Sequence, residues 1–141
     1  MEIINRISWD ELWINMAELV AKRSSDPKHQ VGCIIVSSDN TRVLALGYNG
    51  DHKGGPNSRV SMAIGESGFI HAEINALIKA DFSNHQDKKM YLTHSPCMMC
   101  SKAIINAGIK EVYYHKLYDE EAVKFLSKFI PTLYRGGPNN E

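Results

Sequence analysis

The chain has 141 residues, 43% hydrophobic and 23% charged, enough for a single globular domain with one substantial core. Lys plus Arg and Asp plus Glu each total 16, so the formal net charge is zero, which removes the broad positive field of a protein that binds nucleic acid mainly through phosphates. The opening stretch "MEIINRISWDELWINMAELV" carries Glu2, Asp10, Glu11 and Glu18 and suits neither a signal peptide nor a membrane span, so we expect a soluble cytoplasmic protein with a small-molecule partner.

Apolar residues recur at helical spacing through Trp9, Leu12, Trp13, Met16, Ala17 and Val20, and Ser8 with Glu11 forms a capping box ahead of them. The apolar, β-branched runs "QVGCIIV" and "TRVLALGY" flank the turn-forming "SSDN", predicting a hairpin over 30–49. Residues 50–70 are rich in Gly and polar residues without a sustained period; a loop of this length inside a compact domain is expected to help form a site. Then come helix "HAEINALIKA", strand "KKMYLTH", helix "PCMMCSKAIINAG" with Pro96 near its start and Gly108 at its end, and strand "KEVYYH". Asp119 caps a fourth predicted helix, "EEAVKFLSKFI", before a last strand around Leu133. Strand–helix alternation after residue 70 implies crossovers between parallel neighbours, whereas the hairpin is antiparallel, so the expected fold class is α/β with one mixed five-stranded sheet covered by helices. We expect one domain over 1–135 and a flexible tail at 136–141.

Three cysteines form an odd, sparse set in which a disulfide framework is not expected, and Cys97 and Cys100 form a C-x-x-C. With His71 they are the best zinc donors in the sequence, and the two thiols stand at a predicted helix start, where free amides and the dipole favour thiolates. Three protein ligands leave a catalytic zinc able to activate water, and Glu73, two residues beyond His71, is placed to shuttle a proton without binding the metal. Taken singly, a histidine at a helix start also reads as a cap and a C-x-x-C as two buried thiols. A structural Cys3His site completed by Cys33 is a further alternative, although it has no need of Glu73.

H-x-E opening one helix and P-C-x-x-C opening the next match the signature of zinc nucleobase deaminases. Through "AKRSSDPKHQVGCIIV", "GYNG", "HAEINAL" and "THSPCMMCSKAIINAGIKEVYY" the chain resembles the deoxycytidylate (dCMP) deaminase family within the wider cytidine deaminase fold. The resemblance implies a three-layer α/β/α arrangement and a hydrolysis in which zinc-activated water attacks C4 of cytosine, Glu73 protonates N3, and ammonia leaves to give dUMP for dTMP synthesis. It makes His71, Cys97 and Cys100 the zinc ligands. It has Asn49 bond the sugar, the carbonyl of Ala72 and amides near Cys97 read the base, Arg23 and Ser24 take the phosphate, and His94 and Tyr118 line the entrance. Asn49 also reads as a left-handed residue before Gly50, and Lys22 as a solvated basic helix end. The family includes hexamers activated by dCTP with Mg2+ and inhibited by dTTP, so a homo-oligomer with such effectors is implied. The loop after "GYNG" departs from the family pattern, being short and lacking cysteine, and its His52, Lys53 and Arg59 read either as phosphate ligands or as hydrated loop residues. Two other functions stay open: deamination of a transfer-RNA adenosine or a free base by the same centre, and a non-catalytic zinc-stabilised interaction module.

Overall fold

The computed structural model describes residues 4–82 and 86–136, so most of the expected tail lies outside the described residues. In chain order the elements are α1 (Trp9–Ala21), β1 (Gly32–Ser37), β2 (Val43–Tyr48), α2 (Ala72–Lys79), β3 (Lys88–His94), α3 (Met98–Ala107), β4 (Glu111–Lys116), α4 (Glu120–Ser127) and β5 (Thr132–Tyr134). Local chemistry sets their ends. The Ser8 hydroxyl accepts from Glu11 N–H at 3.1 Å and the Asp119 carboxylate from Ala122 N–H at 3.0 Å, so α1 and α4 begin on side-chain caps. Gly108 ends α3 at a φ of 81°, a left-handed conformation that costs glycine no Cβ clash. Helix α4 stops at Ser127 instead of running to Ile130 as the sequence pattern suggested. Pro131 disfavours a helical Ile130, and the chain tightens into bonds from Lys128 N–H to Phe125 and from Phe129 N–H to Leu126.

The sheet order is β2-β1-β3-β4-β5. Strand β1 is antiparallel to both β2 and β3, while β3, β4 and β5 are mutually parallel. Side-chain alternation gives the sheet two apolar faces. Ile34, Val36, Tyr91 and Tyr113 meet Trp13, Ile14 and Ala17 of α1 on one side. Cys33, Ile35, Met90, Leu92, Val112 and Tyr114 meet Ala72 and Ala76 of α2, Ile104 of α3 and Leu126 of α4 on the other. The result is the expected three-layer α/β/α sandwich. None of the described helices is long and apolar enough to cross a membrane.

This topology decides where the chemistry falls. Strands β2 and β3 both oppose β1 and therefore point the same way. The segment after β2 closes on itself through paired bonds between Gly50 and Ile70, N–H to carbonyl at 3.1 and 2.8 Å. That closure returns the chain to the end of β2, so α2 starts beside it, and α3 starts just beyond β3. Two helix N-termini, the end of β4 and the segment entering β1 thus share one rim of the sheet.

Candidate metal centre and cleft

His71 is the N-cap of α2 yet makes no capping hydrogen bond, so its ring does not serve as a cap and is turned across the rim. Its Nδ1 lies 3.2 Å from Cys100 Sγ and 3.5 Å from Cys97 Sγ, and the three donor atoms all lie within 4.8 Å of one another. A tetrahedral zinc with ordinary Zn–S and Zn–N lengths needs donors roughly 3.6–3.8 Å apart, so the set fits that ion in both chemistry and spacing. Cys33 is not a member of the group; it is fully buried in β1 among core residues. The Cys3His alternative therefore lacks its fourth protein ligand.

Electrostatics around the donors follows from their contacts. Cys97 caps α3, accepting from Cys100 N–H at 3.5 Å. The neighbouring Cys100 thiol holds the Cys97 thiol down to about 4, burial opposes this, and His71 adds to the lowering. Cys100, as the proton-carrying partner, is pushed well up. Glu73 is buried in the first turn of α2. Burial pushes its carboxyl up to about 7, opposed by its own backbone N–H and by His71.

Beyond the donors the rim opens into a cleft with about 530 Å³ of empty space, its mouth included, walled by Asp26, His29, Asn49, Arg59, Glu73, His94 and Tyr118 among others. The side-chain amide of Asn49 is fixed by backbone groups with no choice of role. Its Oδ1 accepts from Val31 N–H at 2.8 Å, and its Nδ2 donates to the His29 carbonyl at 2.8 Å and to Asp26 Oδ2 at 3.3 Å. Asn49 has no positive φ, so the left-handed-turn alternative does not hold. His29 packs edge-on to His94 with centroids 4.5 Å apart and stacks on Tyr118 at 5.2 Å. Burial pushes the His94 imidazole down to about 4 and lowers that of His29 as well, so both rings are neutral bases at ordinary pH.

Other expected site residues stand elsewhere. Ala72 lines the cleft, but its carbonyl oxygen points along α2 toward its C-terminal end, beside Ala76 N and against Gly47. A helix carbonyl is spent on the i+4 amide, and it is the first-turn N–H groups that stay free. Arg23 is exposed, 6.0 Å above the Tyr48 ring. Ser24 is buried, with its hydroxyl donating to the Asn49 carbonyl at 2.8 Å. Neither wall of the cleft contains them. Arg59 is no hydrated loop residue: its Nε donates to Asp26 Oδ1 at 2.9 Å in an almost fully buried ion pair. Asp26 and His29 went unrecognised as cleft residues because only packing across the rim brings them to Arg59; the charged "DPKH" ahead of an apolar strand was the one available signal.

A family model for the cytidine and deoxycytidylate deaminase zinc-binding region matches residues 7–116, more than half of the chain. The chain belongs to this family. Among curated relatives of this deaminase-family chain, the deoxycytidylate deaminase of Schizosaccharomyces pombe is 36% identical over 130 residues, covering 83% of this chain and 40% of that protein. ComE operon protein 2 of Bacillus subtilis is 39% identical over 121 residues, covering 82% of this chain and 63% of the other. The chain thus spans less than two thirds of either relative. A solved dCMP deaminase from the cyanophage S-TIM5, in complex with dCMP and dUMP, superposes with a TM-score of 0.76 at 30% identity over 89% of this chain and 95% of that one.

Proposed function

We propose that the chain catalyses the zinc-dependent hydrolysis of dCMP to dUMP and ammonia, supplying dUMP for dTMP synthesis. The observation that carries this reading is Glu73, a buried carboxyl set in the field of His71 and Cys97 and within hydrogen-bonding reach of Cys100, at the floor of a cleft sized for a small ligand. The cyanophage relative with dCMP and dUMP bound supports the choice of substrate.

His71, Cys97 and Cys100 would hold the ion. A zinc there supplies the acidity that makes water a nucleophile near neutral pH. The chain's own residues do the rest. Glu73, poised near neutrality, takes a proton from water and delivers it to N3 of the cytosine as C4 is attacked. The C4–N4 bond then breaks, the amino group leaves as ammonia with the second water proton, and a carbonyl remains at C4. The free N–H groups at the start of α2, Ala72 among them, face the base carbonyl as donors. His29, His94 and Tyr118 supply neutral ring faces and edges against which a pyrimidine packs. Asn49 holds Val31, His29 and Asp26 in place around it.

Effector control by dCTP with Mg2+ and by dTTP in a hexamer, and a cytoplasmic location, belong to the same proposal as what the family resemblance implies. Ammonia release from dCMP, deoxycytidine, guanine and RNA, each with and without dCTP and dTTP, tests it. We expect dCMP to be turned over fastest; turnover of guanine or RNA in place of dCMP would overturn the substrate assignment, and none at all would overturn the enzyme.

A further inference from the structure

Ser95 stands between the last residue of β3 and Pro96, two residues ahead of Cys97. Its backbone is fixed on both sides. The N–H donates to the Lys116 carbonyl at 2.9 Å, extending the pairing of β3 with β4, and Pro96 restricts the residue before it to extended conformations. The side chain lines the cleft and is 3% exposed. Its Oγ accepts from two consecutive amides of the connection between β4 and α4, Tyr118 N–H at 2.7 Å and Asp119 N–H at 3.2 Å. One hydroxyl thus ties the turn that leads into Cys97 to the turn that carries Tyr118. Tyr118 needs such a tie, because it is 44% exposed and burial alone does not fix its ring. That ring stacks on His29 at 5.2 Å, and His29 meets His94, the neighbour of Ser95, at 4.5 Å.

We propose that Ser95 is a positioning residue, whose hydroxyl sets the Tyr118 ring against His29 and so shapes the aromatic wall on which the pyrimidine packs. The inference rests on the deaminase reading of the cleft and adds to it a residue that acts through another. An oxygen at this point accepts both amides, whereas a methyl group accepts neither. In Ser95→Ala the two N–H groups must turn to water, the connection relaxes outward, and the Tyr118 ring leaves His29. The Cys97 end is held differently. The cap of α3 and the bond from Ser101 Oγ to the Cys97 carbonyl at 2.8 Å keep it in place without the Ser95 hydroxyl. Loss of that hydroxyl therefore loosens ligand packing and spares the metal donors.

The test uses the zinc-loaded full chain, Ser95→Ala, Tyr118→Ala and the double variant. Ser95→Ala should raise KM for dCMP about fivefold, the scale of one net hydrogen bond, with most of kcat and all of the zinc kept. Added to Tyr118→Ala, it should change KM by less than about twofold, since residues that act through one contact are not additive. A fall in kcat with KM unmoved, loss of zinc, or full additivity overturns the proposal. Two NMR readouts need no turnover. The His29 ring-proton shifts of Ser95→Ala should move most of the way to those of Tyr118→Ala, and shifts that stay at the wild-type values overturn the proposal. In the wild type, the Tyr118 amide should exchange with solvent more slowly than that of exposed Leu117, a measurement that holds even if Ser95→Ala does not fold; equal exchange overturns the proposal. A wild type that releases no ammonia from dCMP sinks the deaminase reading, while the ring shifts still judge Ser95.

Discussion

Arg59 reaches across 33 residues of chain to Asp26, Nε to Oδ1 at 2.9 Å, and both side chains are almost fully buried. Through this pair the segment between β2 and α2 is tied to the segment that enters β1. Asp26 also accepts from Asn49 and from Lys28 N–H, so one carboxylate joins three pieces of the cleft wall.

Acid should loosen this joint. Burial pushes the Asp26 carboxyl upward, but hydrogen bonds from Arg59 and Lys28 outweigh it and leave the group below the ordinary carboxylate range. A depressed folded value means that the stabilisation is complete above an unfolded pKa of about 3.9 and is lost as pH falls through the lower folded value. Unfolding free energies at pH 7, 4 and 3 should fall across the last step, and less steeply in Asp26→Asn. Some slope will remain in that variant, because Asp10 is likewise held down by Arg135 and Tyr91 against its own burial. Equal slopes in the two proteins would show that Asp26 is not depressed.

Glu73→Gln keeps the shape of the residue and removes its proton chemistry. Turnover of dCMP should fall by at least about a hundredfold, the usual scale for a lost general acid–base group, while zinc content stays at that of the wild type. Near-normal turnover would take the shuttle role away from Glu73.

Metal content separates the three cysteines. Cys97→Ser should lose zinc, since the residue is both a donor of the cluster and the cap of α3. Cys33→Ala should keep it and cost only about 1 kcal/mol of stability, the scale for a small truncation in a packed core. Metal analysis of the two purified variants with urea unfolding checks both statements, and loss of zinc from Cys33→Ala would reinstate the closed structural site.

Gly47→Ala probes how α2 is seated. A Cβ at Gly47 would lie 2.5 Å from the Ala72 carbonyl oxygen and 2.6 Å from Ala76 N, both backbone atoms that cannot rotate away. Helix α2 must shift off the sheet, at about 1–3 kcal/mol for such overpacking, and carry His71 and Glu73 with it. We expect a lower Tm and weaker zinc binding together; a lower Tm with unchanged zinc affinity would mean that the donors tolerate the shift.

All nine elements were legible in the sequence, as was the grouping of His71, Cys97 and Cys100 into one cluster that could hold a metal ion, because periodicity and caps are local and because H-x-E and P-C-x-x-C each sit at a helix start. What stayed hidden was non-local. Arg59 and Asp26 meet only because the segment 50–70 folds back through the Gly50 and Ile70 bonds, and no periodic pattern in that segment announces it. The Ala72 carbonyl was misdirected for a different reason: the family motif names the residue, and only the helix axis says which of its backbone groups is free. Arg23 and Ser24 matched a family pattern by position, but one end of α1 points its arginine to solvent and turns its serine inward to Asn49.

Because β2 and β3 flank β1 and run the same way, the His71, Cys97 and Cys100 donors stand at helix starts, while much of the outer cleft wall comes from residues 26–31 and 50–70. Reactivity and selectivity are therefore encoded in separable stretches of chain. On the proposed function, exchanging the 50–70 segment for one that keeps the Arg59 tie to Asp26 would redirect which molecules are admitted and leave the His71, Cys97 and Cys100 cluster in place, so such an architecture can diversify its diet without reinventing its chemistry.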